Sequence, residues 1–408
     1  MGKKTVLWIC LMMAAFPLAG CWSSRELTDI AFVIAIGVDK TENNRYLLTM
    51  QVMNPRNSAS MQQVSSSKGS PVNVYTGHGN TIVEASREAM QHTSRELYFS
   101  HANLVVIGED LAREGVLEVF DRLERSPQFR TTSFVVIAKD MRATDLLKIL
   151  TPIDQIPANK IIKTIRFSES LWGEAIKKDV KEAIDELSSS GKQLTLTGLA
   201  VVGDKEKGRS VGDMEKTFIP SRIYSDEIGV FKNDHLIDWI GGETARGFLW
   251  TQNRIKSTIV NFDWANHKEA VSYRVVRSKT GTKAELSNGK PSVTVSVKVE
   301  GNIGETHVPV DLWDPKVLVR LQTAAEKEIK KEIMESIAYA KEKKVDIFGF
   351  GELFYSDHPR YWKTAAKDWT EKIFPELNVD IRVDAYIRRS DLRIKPYFYH
   401  MNKLKDGE

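Results

Sequence analysis

The alternation of apolar and polar positions divides the chain into elements before any single residue is considered. Ile30 to Asp39 and Tyr46 to Asn54 are rich in Val, Ile and Leu around a polar turn at residues 41–45, and predict a strand pair. Residues 55–80 are dominated by Ser, Gln, Asn and Gly and read as a long polar loop with at most one short strand, Val72 to Tyr75. Ile82, Ala85, Ala89 and Met90 recur at helical spacing, and Leu104 to Ile107 predicts a short buried strand. Leu111, Val116, Leu117, Phe120 and Leu123 predict one further helix, Thr131 to Ala138 a strand, and Ala143 to Leu150 a short helix stopped by Pro152. Strands alternating with helices from 82 to 150 point to a sheet with helices packed on it.

Pro152 and Pro157 bracket an expected linker, and Ser170 to Leu187 reads as one charged helix. A strand over Leu194 to Val202, a hydrophilic loop over 205–216, a hairpin turning at Asn233-Asp234-His235, a helix over Gly242 to Gln252 and a strand over Ser257 to Asp263 follow. In the last third, strands at Ala270 to Lys279 and Ser292 to Glu300 flank a turn at Asn288-Gly289. A long amphipathic helix over 314–343 carries Leu318, Leu321, Ala325, Ile329, Ile333, Ile337 and Ala340 on one face, and Val379 to Ile387 closes the fold as a strand. The expected class is α+β, in three domains built on mixed or antiparallel sheets with packed helices. The blocks are residues 21–190, a middle domain 191–265 and a C-terminal domain 266–400.

The first twenty residues follow a different rule. Lys3 and Lys4 precede an uncharged run from Thr5 to Ala19. As a helix that run would rise about 22 Å, short of the ~30 Å hydrocarbon core, so residues 1–20 read as an export signal and not a membrane span. The run ends Leu18-Ala19-Gly20-Cys21, which resembles the bacterial lipobox. That resemblance makes Leu18, Ala19 and Gly20 the cleavage motif and Cys21 the lipid attachment site, carrying S-diacylglycerol and an N-acyl group. No other run of comparable length and apolarity follows, so the lipid is the only expected anchor.

Composition removes several classes of function. A formal charge of +4 over 408 residues gives no footprint for nucleic acid. The two cysteines, Cys10 and Cys21, both lie at the N-terminus and leave no internal disulfide for the exported part; Cys10 departs with the signal, so the mature chain should hold no free thiol. The eight histidines show no metal-ligand spacing; His101, beside Ser100 and before a buried strand, is the one position to watch, and reads as a hydrogen-bonded strand-edge residue. Gly208-Arg209-Ser210-Val211-Gly212 matches a nucleophile elbow in letters, yet its charged flanks make Ser210 part of a solvated loop. Gly349-Phe350-Gly351 follows an apolar run but lacks the third glycine of a dinucleotide turn, leaving close backbone packing as its reading. Trp239, Trp250, Trp264, Trp362 and Trp369 read as core or domain-interface residues.

Several short motifs then align in order: Gly20-Cys21-Trp22 with Arg25-Glu26-Leu27, Ile36-Gly37-Val38-Asp39, Ser94-Arg95-Glu96-Leu97 with Ser100-His101, and Ile107-Gly108-Glu109. Gly198-Leu199-Ala200-Val201, Ala245-Arg246-Gly247 with Trp250, Asp346-Ile347-Phe348-Gly349-Phe350-Gly351, Pro359 with Trp362, Trp369 and Ile387-Arg388-Arg389 continue the series. Together they resemble the spore germination receptor C-subunit lipoproteins, the Ger(x)C family, departing only at Asp391, where the family continues with a small residue. The resemblance implies a non-catalytic, cofactor-free, lipid-anchored subunit of a nutrient germinant receptor, on the outer face of the spore inner membrane. Its implied partners are a large A-type and a polytopic B-type membrane subunit, and only Cys21 carries over as a defined functional position. Direct contact with a small molecule is left open. The readings set against it are a solute-capturing lipoprotein of a transporter, which calls for two doubly wound lobes, and a cell-wall hydrolase, which calls for an acidic pair or zinc site.

Overall fold

The computed structural model describes residues 29–54, 69–154, 156–214, 217–219 and 221–388, with the isolated positions Gly2 and Trp8. Cys21 with its flanking motif, residues 55–68 and the chain beyond 388 lie outside the described residues.

Strands β1 (Ile30–Lys40), β2 (Tyr46–Met53), β3 (Val72–Gly79), β4 (Glu96–Tyr98), β5 (Leu104–Gly108), β6 (Phe134–Ala138), β7 (Thr195–Gly203), β8 (Ser221–Lys232) and β9 (His235–Ile240) form one sheet. Its order is β3-β2-β1-β5-β6-β7-β8-β9, with β4 beside the start of β1. The centre, β1-β5-β6-β7, is parallel, and both margins are antiparallel. Helices cover both faces, so these strands are apolar at nearly every position instead of alternating. Ile36, Val38, Val105, Ile107, Val135 and Ile137 pack against α1 (Ile82–Gln91), α2 (Glu109–Glu114), α3 (Leu117–Glu124) and α6 (Val180–Ser188). Ala35, Leu104, Val106, Val136 and Ala138 face α4 (Ala143–Leu147) and α5 (Pro157–Phe167).

The second sheet, β10 (Thr258–Trp264), β11 (His267–Ser287), β12 (Lys290–Thr306) and β13 (Asn378–Ile387), is antiparallel except for the parallel β12–β13 pair. Asn288 and Gly289 turn the β11–β12 hairpin at φ 49° and 76°, the left-handed pair that a two-residue turn needs. The crossover from β12 to β13 contains α8 (Pro315–Lys343), capped by the Asp314 side chain accepting from Lys316 N–H, and the short helices α9 (Phe350–Asp357) and α10 (Pro359–Ala365). Leu321, Ala325, Ile329, Ile333, Ile337 and Ala340 bury one face of α8. α7 (Gly242–Thr251) crosses α8 at Gly247, where an added Cβ would overlap the Glu332 carbonyl oxygen.

Three expectations change. The helix expected over 111–123 is two, because Gly115 takes φ 135° and breaks the run between α2 and α3. The expected linker at 152–157 gives way to α5, which starts on Pro157: at the first helical position proline loses no hydrogen bond, and Ala158, Ile161, Ile162 and Ile165 form the buried stripe. The single helix expected over 170–187 is interrupted at Gly173 (φ 71°) and restarts at a capping box in which Asp179 and Glu182 satisfy each other's backbone N–H. Strands β7, β8 and β9 extend the first sheet, and the change of sheet falls between Ile240 and Thr258.

Gly247→Ala should lower unfolding stability by at least about 1–3 kcal/mol in urea titration, the usual cost of overpacking a tight crossing; an unchanged midpoint would show that α7 and α8 can separate freely.

Candidate functional site

Among the described residues of the short sequence motifs, Asp39, Glu109, Arg246 and Asp346 turn into the protein, while Arg95, Glu96 and Arg388 are exposed. Asp39, at the end of β1, accepts from the N–H groups of Ala143 (2.7 Å) and Thr144 (3.0 Å), which open α4. Gly108 is small because Asp39 occupies the space its Cβ would take. Glu109 accepts from Asp140 N–H (2.7 Å), Trp239 Nε1 (3.1 Å) and Arg113 (2.6 Å), joining the ends of β5, β6 and β9.

In the C-terminal half, Glu332 accepts from Arg246 Nη2 (2.5 Å) and Trp250 Nε1 (2.8 Å) across the α7–α8 crossing. Asp346 accepts from the N–H groups of Gly349 (2.9 Å), Phe350 (3.1 Å) and Gly351 (2.8 Å), and from Trp369 Nε1 (2.9 Å). These are donors that the start of a helix leaves without an internal partner. A Cβ on Gly351 would stand 2.6 Å from Gly191 Cα, so Gly351 serves close backbone packing, whereas Gly349 is required by its left-handed φ of 75°. A fifth cluster, Lys178 with Glu186, Lys192 and Thr195, is buried beneath α6.

Burial pushes the carboxyls of Asp39 and Asp346 up to about 6, against the N–H donors that favour their ionised forms. Burial also raises Glu332 in spite of Arg246 and Trp250. Glu109 goes the other way: burial opposes ionisation, but Asp140 N–H, Trp239 and Arg113 together hold it below the usual range. These acids are engaged as structural acceptors, not aimed together into a cleft.

Cys21, Leu18, Ala19 and Gly20 lie outside the described residues. Ser210 is exposed between a short turn and a single helical turn in the β7–β8 loop, with no strand leading into it, so the elbow geometry is absent there. His101 is exposed, its ring edge-on to Phe32 with centroids 4.9 Å apart. Trp250, Trp362 and Trp369 are core, while Trp239 and Trp264 are half-buried, the latter under Arg320. Large exposed aromatics include others, among them Trp172, Trp313, Phe167 and Phe218, which no periodicity singled out. Among the described residues no group of His, Cys, Asp and Glu is arranged to hold a metal, and no helix is long and apolar enough to cross a membrane.

A family model described as the spore germination protein N-terminal domain matches residues 23–201, and one described as spore germination B3/GerAC like, C-terminal, matches residues 226–391. Spore germination protein KC of Bacillus subtilis (strain 168) is 38% identical, over 97% of this chain and 98% of that protein. The chain belongs to the spore germination B3/GerAC-like family. Spore germination protein B3 of the same organism is 25% identical over 92% of this chain and 94% of its own length. The crystal structure of the GerBC protein superposes with a TM-score of 0.55 over 86% of this chain and 96% of that one, at 22% identity, and so shares the fold. The stretch between the two family models runs from the end of β7 to the middle of β8, inside the first sheet, so each family half supplies strands to that sheet.

Two outcomes test the roles of these acids. Glu332→Ala should destabilise by about 3–5 kcal/mol in denaturant titration, because Arg246 stays buried without its partner, whereas Ser210→Ala should leave the midpoint in place. For Asp39 the folded pKa, about 6, exceeds the ordinary 3.8, so its contribution is complete below about pH 4 and is lost as pH rises through 6. The stability of the native chain relative to Asp39→Asn should therefore fall by on the order of 3 kcal/mol between pH 4 and 7; a constant or widening gap would show that the carboxyl ionises normally.

Proposed function

We propose that this chain is the lipid-anchored, non-catalytic C subunit of a nutrient germinant receptor, required for spore germination in response to nutrients. The observation that carries the reading is end-to-end similarity to spore germination protein KC, covering nearly all of both proteins. In this reading Cys21 becomes the first residue of the mature chain and carries S-diacylglycerol and an N-acyl group. A single acyl chain holds a protein only marginally, while added chains make attachment long-lived. The body then stands on the outer face of the spore inner membrane, where it contacts A-type and B-type receptor subunits. Tethering supports weak contacts by raising the effective concentration of the two surfaces.

A role through contact and not catalysis is supported by the engagement of Asp39, Glu109, Glu332 and Asp346 in internal hydrogen bonds. Solute capture between two doubly wound lobes fits less well, since the second sheet is built on a long antiparallel hairpin. We likewise propose that residues 1–20 are removed and that the exported part acts as N-terminal, middle and C-terminal units sharing one continuous core. That core joins Ile228, Val230 and Ile240 of the first sheet to Val295, Val297 and Val299 of the second.

Spores carrying Cys21→Ala should lose the protein from their membrane fraction and germinate poorly on nutrients; normal germination with the variant still in that fraction would disprove anchoring through Cys21.

A further inference from the structure

Phe167, Leu171 and Trp172 are exposed by 60, 58 and 55% and follow one another around the end of α5 and the wide turn Ser168–Trp172. A single exposed apolar side chain is ordinary, but three on one turn make a patch. Cations accompany it. The Arg166 guanidinium and the Lys177 ammonium lie 5.4 and 4.9 Å from the centre of the Phe134 ring, and the exposed Lys256 stands two residues before Thr258, whose hydroxyl donates to the Trp172 carbonyl at 2.7 Å. Of the two acids in this segment, Glu169 is turned inward, accepting from Lys177 N–H and pairing with Arg254, and Glu174 is half-buried. Aromatic and aliphatic side chains flanked by Lys and Arg suit the boundary between headgroups and acyl chains of an anionic bilayer.

The position of the patch matches the reach of the tether. The Ile34 carbonyl of β1 accepts from Asn103 N–H (3.0 Å), and the Asn103 carbonyl accepts from Phe134 N–H (2.9 Å). Phe134 is thus two strands across from Ile34, on the order of 10 Å, and Ile34 lies four residues, about 13 Å, along β1 from Ile30. Cys21 precedes Ile30 by nine residues, which span about 30 Å when extended, so a lipid at Cys21 and the patch can meet one membrane surface together.

We infer that Phe167, Leu171 and Trp172, with Arg166 and Lys177, rest in the headgroup layer of an anionic phospholipid membrane and orient the tethered body on it. The inference rests on anchoring through Cys21. The same anchoring makes the test clean, because the mature chain then holds no free thiol. A nitroxide is placed on Leu171→Cys in the lipidated full-length mature chain, reconstituted in phosphatidylglycerol-containing vesicles. A second goes on Asn43→Cys, in the β1–β2 turn at the far end of β1. Collision with oxygen should exceed collision with a water-soluble nickel chelate several-fold at position 171, and the order should reverse at 43. If the chain floats with the vesicles but position 171 stays open to the nickel chelate, the membrane contact is wrong while anchoring stands. A probe at 171 shielded from both reagents marks a protein contact and also overturns it. If the chain does not float at all, the anchoring reading fails and takes this inference with it.

Discussion

Buried N–H groups at the start of a helix must find an acceptor, and the union of the two sheets depends on Asp346 supplying one. Its carboxylate takes three consecutive backbone donors and the Trp369 indole, which fixes the turn into α9. Its carbonyl accepts from Gln193 N–H at 2.8 Å, and the Gln193 side chain in turn accepts from Asn233 N–H at 2.7 Å. One residue of the C-terminal half thereby holds the segment leading into β7 and the turn between β8 and β9. Gly191 against Gly351 lets the two backbones approach closely enough for this contact. Around it Lys343–Asp238 and Lys232–Glu371 pair across the same boundary, but as partly exposed ion pairs they add little beside the continuous apolar core.

What could be read from the sequence follows from the range of the interaction that shapes each element. The β11–β12 turn is local: Asn288-Gly289 alone favours the left-handed pair, and the strands on either side extend from it. The buried stripe of α8 repeats over enough turns to outweigh its many charges. Elements fixed by one residue escape the periodicity, as where Pro157 opens α5 or Gly173 splits an apparently continuous helix. The buried polar contacts lie beyond any periodicity, because Arg246 meets Glu332 across 86 positions and Asp39 meets the Thr144 N–H across 105. Family resemblance marked Asp39, Glu109, Arg246 and Asp346, and only the fold supplied their purpose, which is to hold elements together. The lipobox-like run at residues 18–21 is the reverse case, a reading that rests on linear order alone.

The internal use of these acids bears on how the fold keeps one arrangement. A buried ion pair seldom adds net stability over a well-packed apolar pair, since desolvation offsets most of the attraction. Its contribution is register. At the α7–α8 crossing, Gly247 removes the side chain that would hold the helices apart, and a smooth apolar contact there would tolerate sliding by a turn. Arg246 and Trp250, one helical turn apart on α7, both reach the single carboxylate of Glu332. A shift of either helix would leave a buried charge unpaired, so the crossing has one low-energy arrangement. A fixed crossing matters for the whole exposed face of α8, because α8 packs along the second sheet and any slide would move every exposed side chain along it.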